Sequence, residues 1–111
     1  MDFKHLVVFV TAPSHESAEQ IAAPLLEKRL AACVNIVPSV RSHYLWQGKI
    51  AHDDEVLLVI KTHQARFSAL EAEIKAVHPY EVPEIIALPI VAGSADYLAW
   101  IDDSVGVPHS K

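Results

Sequence analysis

The feature that most constrains this chain is a pair of long extended stretches, Ala32 to Trp46 and Lys49 to Thr62, joined only by Gln47-Gly48. A two-residue connection that contains glycine predicts a tight β-hairpin. Each arm of about fifteen residues would span roughly 50 Å, well beyond a typical globular strand. One small domain cannot cover such arms, and uncovered strand edges favour pairing with another chain. We therefore expect a homo-oligomer built by hairpin exchange or edge pairing.

Placing Trp46 opposite Lys49 fixes the register of this hairpin. An apolar pair and an opposite-charge pair then arise across the strands without adjustment, which favours this register. The same register brings His43 opposite His52. Pro38 cannot donate a hydrogen bond to a sheet, so it predicts a bulge or an edge.

The composition describes an ordinary globular chain of 111 residues, with 51% hydrophobic and 21% charged residues. This length predicts one domain over residues 1–103, with residues 104–111 as a loose tail. A formal charge of −5 without a basic run argues against nucleic-acid binding. No apolar stretch is long enough to span a bilayer, so no membrane contact is expected. The single cysteine, Cys33, suits a reducing compartment, and we expect a cytoplasmic protein.

The first part of the chain predicts a strand and a helix. The apolar run Leu6 to Val10 is typical of a central strand buried on both faces. Ser14 is a candidate helix N-cap, after which apolar residues recur at helical spacing. Pro24 interrupts that pattern. Because proline removes a helix hydrogen bond, at a cost of roughly 3 kcal/mol, we expect a kink or a break near Gln20–Pro24.

The part after the hairpin predicts a helix, a strand and a final helix. Thr62 is the candidate cap of the second helix, which has to stop near His78 because Pro79 follows. The run Glu84 to Leu88 predicts the last strand, and Ser94 starts a short terminal helix. The resulting order, β-α-β-β-α-β plus a C-terminal helix, indicates an α+β chain of ferredoxin-like, split βαβ type.

The sequence carries no motif for catalysis. It contains no GxGxxG or Walker loop, no HExxH, no CxxC and no GxSxG. Cys33 lies in the apolar run Ala31-Ala32-Cys33-Val34, which is typical of a small hydrophobic residue rather than an activated thiolate. We therefore expect a binding and assembly protein, not an enzyme. Tyr44 and Trp46, near the end of the hairpin, are candidate anchors for a subunit interface.

The histidines are the candidates for metal binding. In the register above, the Cβ atoms of His43 and His52 lie about 5 Å apart, close enough for both imidazoles to share a metal ion. The alternative is a pair of solvated side chains on an exposed hairpin. Two nitrogens without a third ligand make a weak site.

His78 is the second candidate, because Glu81 and Glu84 follow it closely. An imidazole with carboxylate oxygens suits zinc, copper or nickel. The alternative is that His78 caps the C-terminus of the second helix, where a partial negative charge favours a cation. The residues alone leave both interpretations open.

Four segments resemble the signature blocks of the CutA family of divalent-cation tolerance proteins, in matching order and spacing. They are Leu30-Ala31-Ala32-Cys33-Val34-Asn35-Ile36, Tyr44-Leu45-Trp46-Gln47-Gly48-Lys49, Glu55 through Lys61-Thr62, and His78-Pro79-Tyr80-Glu81-Val82-Pro83-Glu84. The run Asp96-Tyr97-Leu98-Ala99-Trp100-Ile101 also fits. The resemblance implies a ferredoxin-like subunit in a tight homotrimer, with long hairpins that pair between subunits.

The resemblance also implies a cytoplasmic protein linked to copper and divalent-cation tolerance, without an accepted enzymatic activity. The copper ligands proposed for the family are a cysteine near the end of the first strand and two histidines before the Pro-Tyr. Here those positions hold Val10 and Val77-His78, so only His78 matches. The leading hypothesis is therefore a CutA-like trimer with weak or promiscuous binding of copper, zinc or nickel.

The second hypothesis is a small-ligand sensor that resembles the PII signalling proteins, which are also ferredoxin-like trimers. Its physical basis is that subunit clefts could gather a mixed polar set suited to an anionic metabolite. That set consists of Lys49, Glu55, Lys61, Tyr80 and Glu84.

Overall fold

The computed structural model describes residues 3–108, which form a single four-stranded antiparallel sheet with three α-helices. The elements are β1 (His5–Ala12), α1 (His15–Glu27), β2 (Cys33–Trp46), β3 (Lys49–His63), a 3-10 turn (Gln64–Arg66), α2 (Phe67–Val77), β4 (Ile85–Pro89) and α3 (Ala95–Ser104). The order of strands across the sheet is β2-β3-β1-β4. The predicted α/β character and the terminal helix are confirmed.

The core lies between the sheet and helices α1 and α2. Apolar residues of β1, β3 and both helices form one buried cluster, in which each fully buried Leu or Ile contributes roughly 1.5–3 kcal/mol. In β1, Leu6, Val8 and Val10 are buried, whereas Val7 and Phe9 remain partly exposed. The prediction that this strand is buried on both faces was therefore wrong. Helices α1 and α2 pack on one face of the sheet, so only alternate residues of β1 are enclosed.

The hairpin has the predicted register, with Trp46 paired to Lys49 and His43 paired to His52. Gln47 and Gly48 both have positive φ angles, of 51° and 79°, which is the backbone that a tight two-residue turn requires. The predicted irregularity at Pro38 is confirmed, since the register shifts between Val37 and Val40.

The hairpin also determines the shape of the chain. The longest dimension of the molecule is 49 Å, against 26 and 22 Å for the other two. The tip extends beyond the helices, where Leu45 and Ile50 are 76% and 77% exposed. Two large aliphatic side chains therefore face solvent at the end of a long arm.

Helix α1 runs without interruption through Pro24. Its N-cap is Ser14, as predicted, and the Ser14 Oγ accepts a hydrogen bond from the Ser17 amide at 3.1 Å. Pro24 lies in the last turn, and the helix continues past it, since the Lys28 amide donates to the Pro24 carbonyl at 3.0 Å. The predicted break is therefore wrong, and a kink stays a prediction.

The start of α2 differs from the sequence-based prediction. Thr62 is not its cap, because Thr62 lies inside β3 and its hydroxyl donates to the Leu30 carbonyl at 2.7 Å. His63 caps the preceding 3-10 turn instead, with Nδ1 accepting the Ala65 amide at 3.0 Å. The end is as predicted, since α2 stops at Val77.

Strand β4 and helix α3 complete the described chain. β4 lies at the edge of the sheet and is shifted by one residue from the predicted run Glu84 to Leu88. Ser94 caps α3 as predicted. Ser104 is the last residue of that helix, and Val105 is fully buried. The packed structure therefore extends into residues 104–111, which were predicted to be a loose tail. Residues 109–111 of that tail lie outside the described range. None of the helices within residues 3–108 is both long and apolar enough to cross a membrane.

Candidate functional site

His78 is held by both of its ring nitrogens. It is only 8% exposed, and its Nε2 lies 2.8 Å from the Thr11 carbonyl oxygen. Its Nδ1 lies 3.0 Å from the Tyr80 amide nitrogen. A carbonyl can only accept and an amide can only donate, so Nε2 carries the proton and Nδ1 accepts. His78 would have to give up one of these hydrogen bonds in order to bind a metal ion.

The segment after His78 forms one wall of a cleft on the sheet face opposite α1 and α2. The second wall is the hairpin, whose residues Ser42, Tyr44 and Trp46 point to this side. The cavity has a volume of about 490 Å³. Its remaining lining residues are Thr11, Asp53, Glu55, Pro79, Tyr80, Glu81, Val82 and Glu84.

Two tyrosine hydroxyls in this cleft donate to carboxylates. The Tyr80 hydroxyl donates to the Glu55 Oε2 at 2.9 Å, and the Tyr44 hydroxyl donates to the Asp53 Oδ2. Burial of the Tyr80 phenol and its bond to Glu55 raise the pKa of Tyr80 well above its usual value. The hydrogen bond to Asp53 raises the pKa of Tyr44. Both phenols therefore stay neutral donors at physiological pH, and the charge of the cleft comes from its carboxylates.

The structure brings together only part of the ligand set predicted for an anionic metabolite. Glu55, Tyr80 and Glu84 line the cleft, whereas the two lysines of that set do not. Lys49 lies at the hairpin turn, opposite Trp46. Lys61 lies farther along β3, where its ammonium donates to the Asn35 Oδ1 and lies 3.8 Å from the Cys33 sulfur. The cleft thus lacks the cations that would attract an anion.

Sequence reasoning missed several residues of the cleft, most notably Asp53 and Glu81. Asp53 faces Ser42 in the hairpin, and the confirmed register with strand alternation places it on the same face as Tyr44. The sequence therefore contained the signal that could have found Asp53. It contained no signal for the position of Glu81 in the cleft, because that position depends on how the segment after α2 folds back over the sheet.

The paired histidines of the hairpin lie on the face opposite the cleft. The ring centroids of His43 and His52 are 5.5 Å apart and both residues are exposed. The guanidinium of Arg41 lies 3.0 Å from the His52 Nδ1 and 3.4 Å from a carboxylate oxygen of Asp54. The guanidinium can only donate, so the His52 Nδ1 accepts and the Nε2 carries the proton. The pair can therefore offer a metal ion two imidazole nitrogens only if His52 gives up its exposed bond to Arg41.

The positions of the family-type copper ligands do not form a complete site. Val10 is fully buried in the core, and Val77 is an apolar residue at the end of α2. Within residues 3–108, no group of three or more His, Cys, Asp or Glu side chains is arranged to hold a metal ion. The chemistry of these donors therefore fits a divalent cation only at a site of few ligands, such as the hairpin histidines.

A family profile, the curated relatives and the solved structures all show similarity of this chain to one family. The profile of the family described as "CutA1 divalent ion tolerance protein" matches residues 6–104. A "Divalent-cation tolerance protein CutA" of Thermus thermophilus is 52% identical over 100 residues, which cover 90% of this chain and 97% of that protein. The solved structure titled as the divalent cation tolerance protein (Cut A1) of that organism has a TM-score of 0.89 and 51% identity, covering 90% of this chain and 97% of its own.

Relatives from plants and animals are longer than this chain. "Protein CutA 1, chloroplastic" of Oryza sativa is 48% identical over 99 residues, which cover 89% of this chain and 56% of the relative. The chain therefore spans about half of such relatives, and the match is confined to the domain described above.

Proposed function

The chain belongs to the CutA1 divalent ion tolerance family, and on that basis we propose that it is a homotrimeric CutA protein that binds divalent cations weakly and carries out no catalysis. The observation that carries the metal-binding part is the exposed pair His43 and His52, with ring centroids 5.5 Å apart. Imidazole is a good ligand for copper, zinc and nickel alike. A site with two nitrogens is expected to be weak and promiscuous.

His78 is a less accessible metal ligand than the hairpin histidines in this proposal. It is the one residue that matches the family's proposed ligands, yet both of its nitrogens serve hydrogen bonds within the fold. Binding a metal at His78 would break one of them. The Arg41–His52 bond is exposed, whereas His78 is buried, so the hairpin histidines are the site tested first. His78 contributes to metal binding only through such a rearrangement.

The trimeric part of the proposal rests on the hairpin. A ferredoxin-like subunit with an arm of this length leaves Leu45, Ile50 and Trp46 exposed at the tip. Pairing with the hairpins of two neighbours would remove this apolar surface from water and satisfy the free strand edges. Tyr44 and Trp46 then lie at or near the subunit boundary.

The absence of catalysis and a cytoplasmic location are further parts of the proposal. Cys33 lies in a strand, beside the ammonium of Lys61, and no histidine contacts its sulfur within the described chain. A single free cysteine suits a reducing compartment. The rice relative is named as chloroplastic, so location differs within the family. The PII-like alternative, an anionic metabolite in the cleft, has no observation in its favour.

Titration calorimetry tests the metal-binding part. We expect Cu²⁺, Zn²⁺ and Ni²⁺ each to bind the intact protein weakly, and the double variant His43→Ala/His52→Ala to lose at least tenfold in affinity. The matched control is His15→Ala, because His15 is also exposed but lies at the start of α1. If none of the three ions binds the unmodified protein, the proposed metal binding is wrong.

A further inference from the structure

The cleft on the open face of the sheet combines aromatic walls with an acidic lining. Its hairpin side carries Tyr44 and Trp46, and its other side carries Tyr80. Its carboxylates come from both sides as well, from Asp53 and Glu55 on β3 and from Glu81 and Glu84 after α2. None of its lining residues is a lysine, arginine or histidine. Such a cavity concentrates negative potential between low-dielectric walls.

Glu55 is the residue that points to a ligand. It is only 9% exposed, yet the one hydrogen bond that its carboxylate receives is from the neutral Tyr80 hydroxyl on Oε2. Within residues 3–108, no Lys, Arg or His nitrogen forms an ion pair with it. Within the same residues, the Oε1 oxygen has no hydrogen-bond donor. It is therefore not sealed off from solvent, because every fully buried side-chain polar atom there has a partner, and Glu55 lines the cavity. A buried carboxylate without a cation is costly, and a positively charged ligand would relieve that cost.

The arrangement suits an organic cation better than a bare metal ion. A divalent metal ion needs several oxygen atoms converging to within about 2.0–2.6 Å of one point. The cleft carboxylates do not form such a group, since no three acidic side chains of the described chain are arranged around a common ion. An alkylammonium ligand can instead reach separated carboxylates with separate nitrogens while its carbon chain contacts the aromatic rings.

We propose that this cleft binds a small organic cation, namely an aliphatic amine with two ammonium groups, between Trp46 and the Glu55–Tyr80 pair. The volume of about 490 Å³ is in the range of small-molecule sites and leaves room for a chain of several carbons. The site is independent of the histidine pair, which lies on the other face of the hairpin. It therefore extends the proposed function without requiring its metal-binding part. Tyr44 and Trp46 also lie near the proposed subunit boundary, so binding is tested on the assembled protein.

Four probes test the ligand class: three molecules with the same four-carbon backbone but different charge, and one divalent metal ion. Binding to the full-length protein, in its own oligomeric state, is measured by calorimetry with 1,4-diaminobutane, 1,4-butanediol, succinate and Mg²⁺. We expect the diamine to bind, and the neutral diol and the dianionic succinate not to bind. Stronger binding of Mg²⁺ than of the diamine, or of succinate than of the diamine, would overturn the proposal.

Two variants locate the site. Glu55→Gln keeps an oxygen that accepts the Tyr80 hydroxyl but removes the charge, so roughly a tenfold loss of diamine affinity is expected with an unchanged melting temperature. Asp53→Asn is a second variant, at an exposed position where a substitution is expected to cost little stability, and it should lose several-fold in diamine affinity. Glu19→Gln is the matched control, because it removes the same charge from the exposed side of α1.

The outcomes separate this site from the proposed metal site. His43→Ala/His52→Ala should leave the diamine affinity unchanged, even if it abolishes binding of copper, zinc and nickel. If a basic side chain of a neighbouring subunit fills the cleft, the diamine will not bind to the assembled protein, and the proposal is wrong. It is equally wrong if Glu55→Gln and Glu19→Gln bind the diamine alike.

Discussion

At the scale of single residues, the structural role of His78 depends on a hydrogen bond to Thr11, which is distant in the sequence. From spacing, His78 suited either a helix cap or a metal ligand. The structure joins its Nε2 to Thr11, 67 positions away, and its Nδ1 to Tyr80. Only the second of these contacts is local. Sequence spacing could therefore place His78 at the end of α2 but could not find the partner that fixes its ring.

His78→Ala is expected to destabilise the fold by about 2–3 kcal/mol, because two buried backbone groups lose their hydrogen bonds. Urea unfolding in buffer with a metal chelator measures this loss without any contribution from a bound ion. His78→Asn is the matched control. Its side-chain oxygen can still accept the Tyr80 amide, so roughly half of the loss should be recovered. An alanine variant as stable as the unmodified protein would contradict this role.

At the scale of elements, the hairpin could be predicted in detail and the start of α2 could not. The two-residue turn and strand alternation are local constraints, and they fix the cross-strand pairs from Val40 to Trp46, up to the register shift at Pro38. Thr62 was wrongly predicted to cap α2, because the adjacent His63 caps the 3-10 turn that precedes this helix. What separates them is the Leu30 carbonyl, which takes the Thr62 hydroxyl into a tertiary contact. The full set of residues that line the cleft could not be predicted for the same reason, since nearly half of them come from the segment after α2.

The cap at His63 makes the stability of this junction dependent on pH. Burial lowers the pKa of His63 below its usual value of 6.5, and the neighbouring Asp102 only partly opposes this effect. The neutral ring is also the form that accepts the Ala65 amide. Because the unfolded chain takes up this proton more readily, the stabilisation is present above about pH 6.5 and is lost as the pH falls through the lowered pKa.

Urea unfolding at pH 7.5 and pH 5 measures this effect. His63→Asn should lose less stability between the two pH values than the unmodified protein, because asparagine can cap the same amide without titrating. His15→Asn serves as the control, since it makes the same substitution at an exposed histidine at the start of α1. The role of His63 is refuted if its asparagine variant and the control respond to pH alike.

At the scale of the whole molecule, the single chain leaves large apolar side chains exposed along its hairpin. Helices α1 and α2 cover one face of the sheet, and the hairpin extends past them in a molecule 49 Å long. The sequence could predict the arm itself, because its length follows from the count of strand residues. The partner that we propose for it stays a prediction, and a number of copies would depend on the angle between hairpins, which their register does not contain.

Charged residues at the tip of the hairpin are expected to dissociate the oligomer. Leu45 and Ile50 face each other across the strands, and both are about three-quarters exposed in the single chain. In Leu45→Glu/Ile50→Glu, every copy would place two like charges in a desolvated contact, which opposes assembly. Native mass spectrometry should show three times the 12.2 kDa chain mass for the unmodified protein and a shift towards 12.2 kDa for this variant. Leu26→Glu, on the exposed side of α1, should leave the assembly intact. An unmodified protein that is monomeric at micromolar concentration would contradict the argument from arm length and, with it, the proposed trimer.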